Sequence, residues 1–325
     1  MPIASNADNI RINGTGRLYV AAVGAAGVGM EIGEMDGLSD SVSVSTEKIK
    51  SNRTAARATI KEVETEREAS VKFGMRESSI ENLELYLSAN AASVTSQAAG
   101  TLSAVEVTMT EKEYADVGKV NCFLTKVGHG AVTGGPFDLG ETITGGTSSA
   151  TGVVGWVGSG FVELVDVSGT FSSGETLTGS ISLATAAATS IETLADMVVC
   201  DAATATVRYT LEDDYRIDAD YGYIMKMPGS DIGATCFIWC DHLAAAINTV
   251  HALSAQAIER KLTFVSDADD LGPRQRITYH KVKLIMDGDR PQIGDGESVL
   301  SMVGTVLLDS TKPTGQQFMK TEIIS

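Results

Sequence analysis

At 325 residues and 34.0 kDa the chain holds one large or two modest domains with ample material for a core. A formal net charge of −17 and a pI near 4.6 exclude a conventional nucleic-acid reader, because phosphate neutralisation needs clustered Lys and Arg. The sequence has no apolar run long enough to span a membrane, and the opening Met-Pro-Ile-Ala-Ser-Asn carries neither the basic start nor the apolar core of a secretory signal. Cys122, Cys200, Cys236 and Cys240 are therefore expected as reduced thiols in a cytosol-made protein.

Taken in chain order, residues 17–22 and 41–45 read as short strands, the second with strict alternation. Residues 46–61 read as a long polar loop, basic through Lys48, Lys50, Arg53, Arg57 and Lys61, with Glu47 opposing them. A strong period of two follows. It predicts a strand with Glu62, Glu64, Glu66 and Glu68 on one face and Val63, Thr65, Arg67, Ala69, Val71, Phe73 and Met75 on the other. Ser78-Ser-Ile-Glu81 has the spacing of a capping box and predicts a helix with Ile80, Leu83 and Leu87 on its buried face. A second such box, Thr110–Glu113, predicts a short turn before a strand near Val120–Thr125.

Between Lys126 and Arg208 the chain has no Lys or Arg, and residues 128–192 hold 14 of its 33 glycines. Within them a nine-residue phrase occurs twice, 34 residues apart: Phe137-Asp-Leu-Gly-Glu-Thr-Ile-Thr-Gly145 and Phe171-Ser-Ser-Gly-Glu-Thr-Leu-Thr-Gly179. Short β runs at Gly152–Trp156 and Gly160–Asp166 lie between turn signals. The segment reads as a small inserted all-β domain in which two equivalent strand-turn corners bury their Phe. The predicted organisation is 1–127 (first part of the main domain), 128–192 (insertion) and 193–325 (second part). Strands are expected at 205–211, 222–227, 235–241, 260–265, 279–286 and 299–308, while 243–256 favours helix on propensity.

Chemistry-bearing patterns are sparse. The sequence lacks the Ser nucleophile elbow and the Walker loop, and Gly24–Gly29 departs from dinucleotide-binding spacing. On a strand, Cys236, Cys240 and His242 point the same way, but zinc sites bring a second ligand pair that Cys122 and Cys200 do not supply by spacing. Asp287-Gly-Asp289 and Asp295-Gly-Glu297 lack the alternating ligands of a calcium loop. Asp213-Asp214 is a chance neighbour pair in a chain of 42 acids, and His129, His242, His251 and His280 form no triad pattern. The expectation is a non-enzyme without catalytic, cofactor or metal residues.

The flanks resemble the major tail tube proteins of long-tailed, siphovirus-like bacteriophages. The resembling pieces are Asn9-Ile-Arg-Ile-Asn-Gly-Thr-Gly16-Arg-Leu-Tyr-Val-Ala21, the strand–polar loop–strand of 41–75, the capped helix of 78–87, and the closing runs Glu259–Phe264, Lys281–Leu284 and Gly304–Asp309. The resemblance implies a mainly β fold, a tail-tube-type β-sandwich or barrel with a flanking α-helix, to which the small all-β domain is added. It implies hexameric rings that stack into a tube and conduct DNA without binding it specifically. Partners would be other copies and other tail proteins (tape measure, tail terminator, tail tip), with no membrane, in a virion tail assembled in the bacterial cytoplasm. On this view the basic loop contacts a neighbouring ring, and the four-glutamate face is a candidate lumen lining whose like charge keeps DNA mobile. Rival expectations are a capsid decoration or baseplate protein and a glycan-binding tail-tip module.

Overall fold

The computed structural model describes residues 15–53, 57–256, 259–267 and 274–324, so Asn9–Asn13 of the resembling opening phrase lie outside the described residues. Strand β1 (Gly16–Ala22) alternates as a half-buried strand should, burying Leu18 and Val20 and leaving Arg17 outside. It pairs with the short β2 (Met30–Glu31). Next come β3 (Met35–Lys50) and β4 (Thr59–Met75), which pair along their length as one hairpin. The expected polar loop of 46–61 is thus mostly strand, because β3 runs to Lys50 and β4 begins at Thr59.

Helix α1 (Ile80–Tyr86) is capped by Ser79, not by the expected Ser78: the Ser79 hydroxyl accepts from Asn82 N–H at 3.2 Å. Asn82 explains the shift. It is buried, and its amide donates to the Ile32 carbonyl (2.9 Å) and the Glu77 carbonyl (3.0 Å), which fixes where the helix can start.

The middle of the chain supplies β5 (Ser93–Gln97), β6 (Gly100–Thr108), β7 (Tyr114–Asp116), β8 (Cys122–His129), β9 (Thr142–Gly145), β10 (Thr151–Gly158) and β11 (Phe161–Ser168). It continues with β12 (Thr176–Gly179), β13 (Thr185–Leu194), β14 (Val198–Cys200), β15 (Tyr215–Asp218), β16 (Tyr223–Lys226), β17 (Thr235–His242) and β18 (Ala245–Thr249). The helix favoured over 243–256 is replaced by β18, which pairs with β5, so sheet pairing overrides the alanine-rich propensity. Residues 205–211 make isolated bridges only, such as Arg208 with Cys200.

The chain closes with β19 (Glu259–Ser266), β20 (Arg274–Met286), β21 (Leu300–Val306) and β22 (Met319–Ile324). Chain contacts divide the protein into two units, 1–93 with 248–325, and 94–247. In the first, eight strands form one sheet in the order β2-β1-β19-β20-β21-β4-β3, with β22 also on β20. Its core holds Leu18, Val71, Phe73, Met75, Leu262, Tyr279, Val282 and Leu300, and Leu83, Tyr86 and Leu87 of the helix region pack against it. The protein is mainly β, with α1 its one helix among the described residues.

In the second unit β11-β10-β9-β12-β13-β8 run side by side, and β8 pairs back onto β11, which closes a six-stranded barrel. Its interior is drawn from residues 127–191, with Phe137 and Phe171 both buried as the repeat predicts. The repeat extends well beyond its nine-residue phrase. Thr144 pairs with Thr178, its own equivalent 34 residues on, and Val127↔Val162 and Gly128↔Phe161 are exchanged by the same offset. The barrel is therefore two copies of a three-strand unit related by a pseudo-two-fold.

The boundaries of this unit differ from the expected cuts at 127/128 and 192/193. Strand β8 carries β17 on its outer edge, and β17 in turn carries β6 and β14, so the barrel shares a nine-stranded sheet with residues that flank it in sequence. A three-stranded sheet, β15-β16-β7, completes the unit.

Candidate assembly interface

Strand β4 is paired by β21 only from Ala69 to Met75. Beyond Ala69 the β3–β4 hairpin continues as a two-stranded ribbon of eight residue pairs, a projection of about 26 Å at ordinary strand rise. Every described residue of 39–68 is exposed except Ser51, which is half-buried. Apolar side chains are among them: Val42 is 64% exposed, Val44 48%, Ile49 49% and Ile60 68%. An isolated two-stranded ribbon is marginally stable in water, and this one leaves apolar side chains uncovered, which makes it the candidate interface.

The five cations expected at this place are all on the arm. Lys48 and Lys50 end β3, Lys61 opens β4, and Arg53 and Arg57 sit at its tip on either side of the undescribed residues 54–56. One is tied to its own hairpin: Lys48 Nζ lies 3.9 Å from Glu62, which also accepts from the Thr46 hydroxyl at 2.7 Å.

The four-glutamate face is not one face. Ser45 pairs with Glu66 while the next residue, Thr46, pairs with Glu64, which leaves Thr65 as the extra residue of a bulge. Directly opposed residues share a face, so Glu66 and Glu68 lie with Ser45 and Ser43, whereas Glu62 and Glu64 lie with Lys48 and Thr46. Two contacts agree with the inversion. The Thr65 hydroxyl donates to the Ser45 carbonyl (3.2 Å), and Arg67, of opposite parity to Glu64, reaches Glu64 Oε2 at 2.5 Å. Strict alternation in the sequence hides this, because a bulge is visible only once the partner strand is known.

Of the residues weighed for metal chemistry, Cys236, Cys240 and His242 are buried in β17, Cys122 in β8 and Cys200 in β14. Burial pushes the Cys236 and Cys200 thiols up to about 12, and a hydrogen bond with Cys122 together with burial raises Cys240. Thiols held protonated in this way are poor ligands. Burial also lowers His242, aided by Lys119. Among the described residues no group of three or more His, Cys, Asp or Glu is placed to hold a metal ion. Asp214 accepts from Thr210 N–H (2.8 Å), and Asp287 pairs with Lys72 (3.2 Å).

Two buried polar constellations lie outside the sequence reading, although the glutamates of the first stand in the repeated phrase. In the barrel, Glu141 and Glu175 of the repeated phrase exchange turns. Glu141 accepts from Ile181 and Ser182 N–H (2.9 and 3.0 Å), and from Asp138 N–H in its own turn (2.7 Å). Glu175 mirrors it, accepting from Thr147, Ser148 and Ser172 N–H (3.2, 2.9 and 2.6 Å). The Ser182 and Ser148 hydroxyls add a donor each. Burial opposes the charge on both carboxylates, but these hydrogen bonds outweigh it and hold both below the usual Glu range. A Cβ on Gly145 would lie 2.6 Å from Glu175 Oε2, and one on Gly179 2.5 Å from Glu141 Oε2, which is why the phrase ends in glycine.

The second constellation joins the barrel to the rest of its unit. Arg208 forks onto Glu163 of β11 (2.7 and 3.0 Å) and lies 3.5 Å from Asp196, which accepts from the Tyr215 hydroxyl (3.0 Å). Burial raises Glu163 and Asp196 in spite of the guanidinium. Asp241 of β17 likewise accepts from Asp166 and Val167 N–H of β11 (2.7 and 3.3 Å) and from Thr101 (2.6 Å).

The model of the family described as "Protein of unknown function UCP028589" matches residues 11–123 and 163–322, and the chain belongs to that family. The unmatched 124–162 contain most of the first barrel repeat, whereas the second falls inside the match. A search of curated proteins finds no match.

Proposed function

We propose that this chain is a structural virion protein, a tail tube subunit that polymerises as stacked hexameric rings into a conduit for DNA ejection. The observation that carries the reading is the exposed arm of 39–68, a ribbon with open edges and uncovered valines and isoleucines, whose outer part, 46–61, sets five cations against Glu47 on a chain of net charge −17. A contact between such an arm and a different patch on the next copy is head-to-tail, so it does not close on itself and propagates as a filament. Opposite charge favours that contact over arm-to-arm collision. The acidic remainder of the chain suits a tube that DNA slides through, since like charge keeps phosphates off the wall. A single four-glutamate lining strand is not part of this reading, because the Thr65 bulge puts two glutamates on each face. No catalytic step is involved, and tape measure, tail terminator and tail tip proteins would be the further partners.

Negative-stain microscopy of the purified chain over a concentration series tests this. Rings or long hollow tubes are expected. Monomers that persist at the highest concentration would overturn the reading.

A further inference from the structure

The outer face of the β15-β16-β7 sheet carries a row of solvent-exposed tyrosines. Register places Tyr223 directly between Asp218 and Asp116, and Met225 directly between Arg216 and Tyr114, so these six residues share one face. The opposite face, with Tyr215 and Ile224, is buried. Tyr221 stacks near-parallel on Tyr223, with centroids 5.9 Å apart, and Tyr114 lies 6.5 Å from Tyr223. Tyr221 is 63% exposed and Tyr114 55%. Arg216 on this face is already held by Glu212 at 3.0 Å, while Asp116 and Asp218 each accept one backbone N–H, from Gly118 (2.7 Å) and Tyr221 (3.3 Å), and have no ion pair among the described residues.

Three open aromatic rings between carboxylates form a receptor for guanidinium and ammonium groups: ring faces attract cations, and the flanking carboxylates pair with them. The arm supplies such groups. Residues 46–61 carry Lys48, Lys50, Arg53, Arg57 and Lys61 against Glu47, a net charge of +4, interleaved with exposed Ile49 and Ile60 that a tyrosine surface would cover. We propose that the Tyr114/Tyr221/Tyr223 face, with Asp116 and Asp218, is the acceptor on which the basic arm of a second copy docks. This rests on the assembly reading and names the surface that reading leaves open.

The test uses the full-length chain and the critical concentration for tube growth, read by light scattering and microscopy, with circular dichroism and thermal melts as fold controls. Tyr221→Ala/Tyr223→Ala should raise the critical concentration about tenfold, the sum of two weak cation–ring contacts. Asp116→Lys/Asp218→Lys should block growth, as should Lys48→Glu/Lys50→Glu, and mixing the two charge-reversed proteins should restore copolymers. Growth of both platform variants at the wild-type concentration would overturn the acceptor assignment while leaving the assembly reading intact. So would a glycan-array signal that is lost with the tyrosines while growth is unchanged, which would give the face to a sugar. Failure of the wild type to polymerise would overturn both.

Discussion

The arm and the barrel solve the same problem in opposite ways. Both are β-structure, and any β-structure leaves unpaired backbone at its edges. The barrel removes its edges by pairing β8 with β11 and fills its inside with Phe137, Phe171, Ile143 and Leu177. Its turns are completed by carboxylates from the other half of the same molecule. Among the described residues the arm has two strands, no third partner beyond Ala69 and no residue in a core cluster. The barrel is finished within one chain, whereas the described strands of the arm leave their outer edges unpaired.

The largest effect should come from removing the arm. Replacing Val44–Arg67 by Asn-Gly joins Ser43 to its partner Glu68 through a two-residue hairpin turn. Tubes should vanish from micrographs, while the melting temperature of the monomer stays within a few degrees because no core residue is lost. Retained tubes would remove the contrast between the two regions.

The barrel should behave oppositely and resist excision. Cutting out 128–192 removes Glu163 from Arg208 and two N–H donors from Asp241, so the remaining residues of 94–247 should not fold. The single change Glu163→Ala leaves a buried guanidinium half-paired and should cost about 3–5 kcal/mol in denaturant titration. Next in size, Glu175→Ala and Glu141→Ala each strand several buried N–H groups and should cost about 2–4 kcal/mol. The two should be unequal to any surface change but similar to one another, as the pseudo-symmetry demands.

Acid should separate the two buried constellations. Glu141 and Glu175 titrate below their ordinary value in the folded protein, so their contribution is complete above the unfolded Glu value of about 4.3 and is lost as pH falls through the folded one. Glu163 and Asp196 are raised, so their protonation on acidification favours the folded state. Melts between about pH 5 and pH 3 should show a steep loss in the wild type and a shallower one in Glu141→Gln/Glu175→Gln. The smallest effect is expected at the arm surface. Lys48→Ala loses one exposed ion pair and should change monomer stability by no more than about 0.5 kcal/mol.

Strands with a buried side were legible in the sequence. The alternation of Val71, Phe73 and Met75, the runs at 235–241 and 260–265, and the buried Phe of each repeat all carry a hydrophobic period. Residues 46–61 of the arm carry none, because both faces meet solvent there, and so the ends of its two strands read as a polar loop although 41–45 and 62–68 alternate. The bulge at Thr65 and the β18 strand depend on partners far along the chain, which local pattern does not contain. The basic residues of the candidate interface were visible as a charge run. Tyr114, Tyr221 and Tyr223 were not, since only the pairing of β7 with β16 brings them together.

The exchange of Glu141 and Glu175 between the two repeats has a consequence for how the barrel forms. The turn after β9 is closed by a side chain from the second repeat, and the turn after β12 by one from the first. A nascent chain that has made only the first repeat therefore holds an uncapped turn and an open edge at β9. The first repeat alone is not a finished folding unit, and the closed barrel needs the chain through β13.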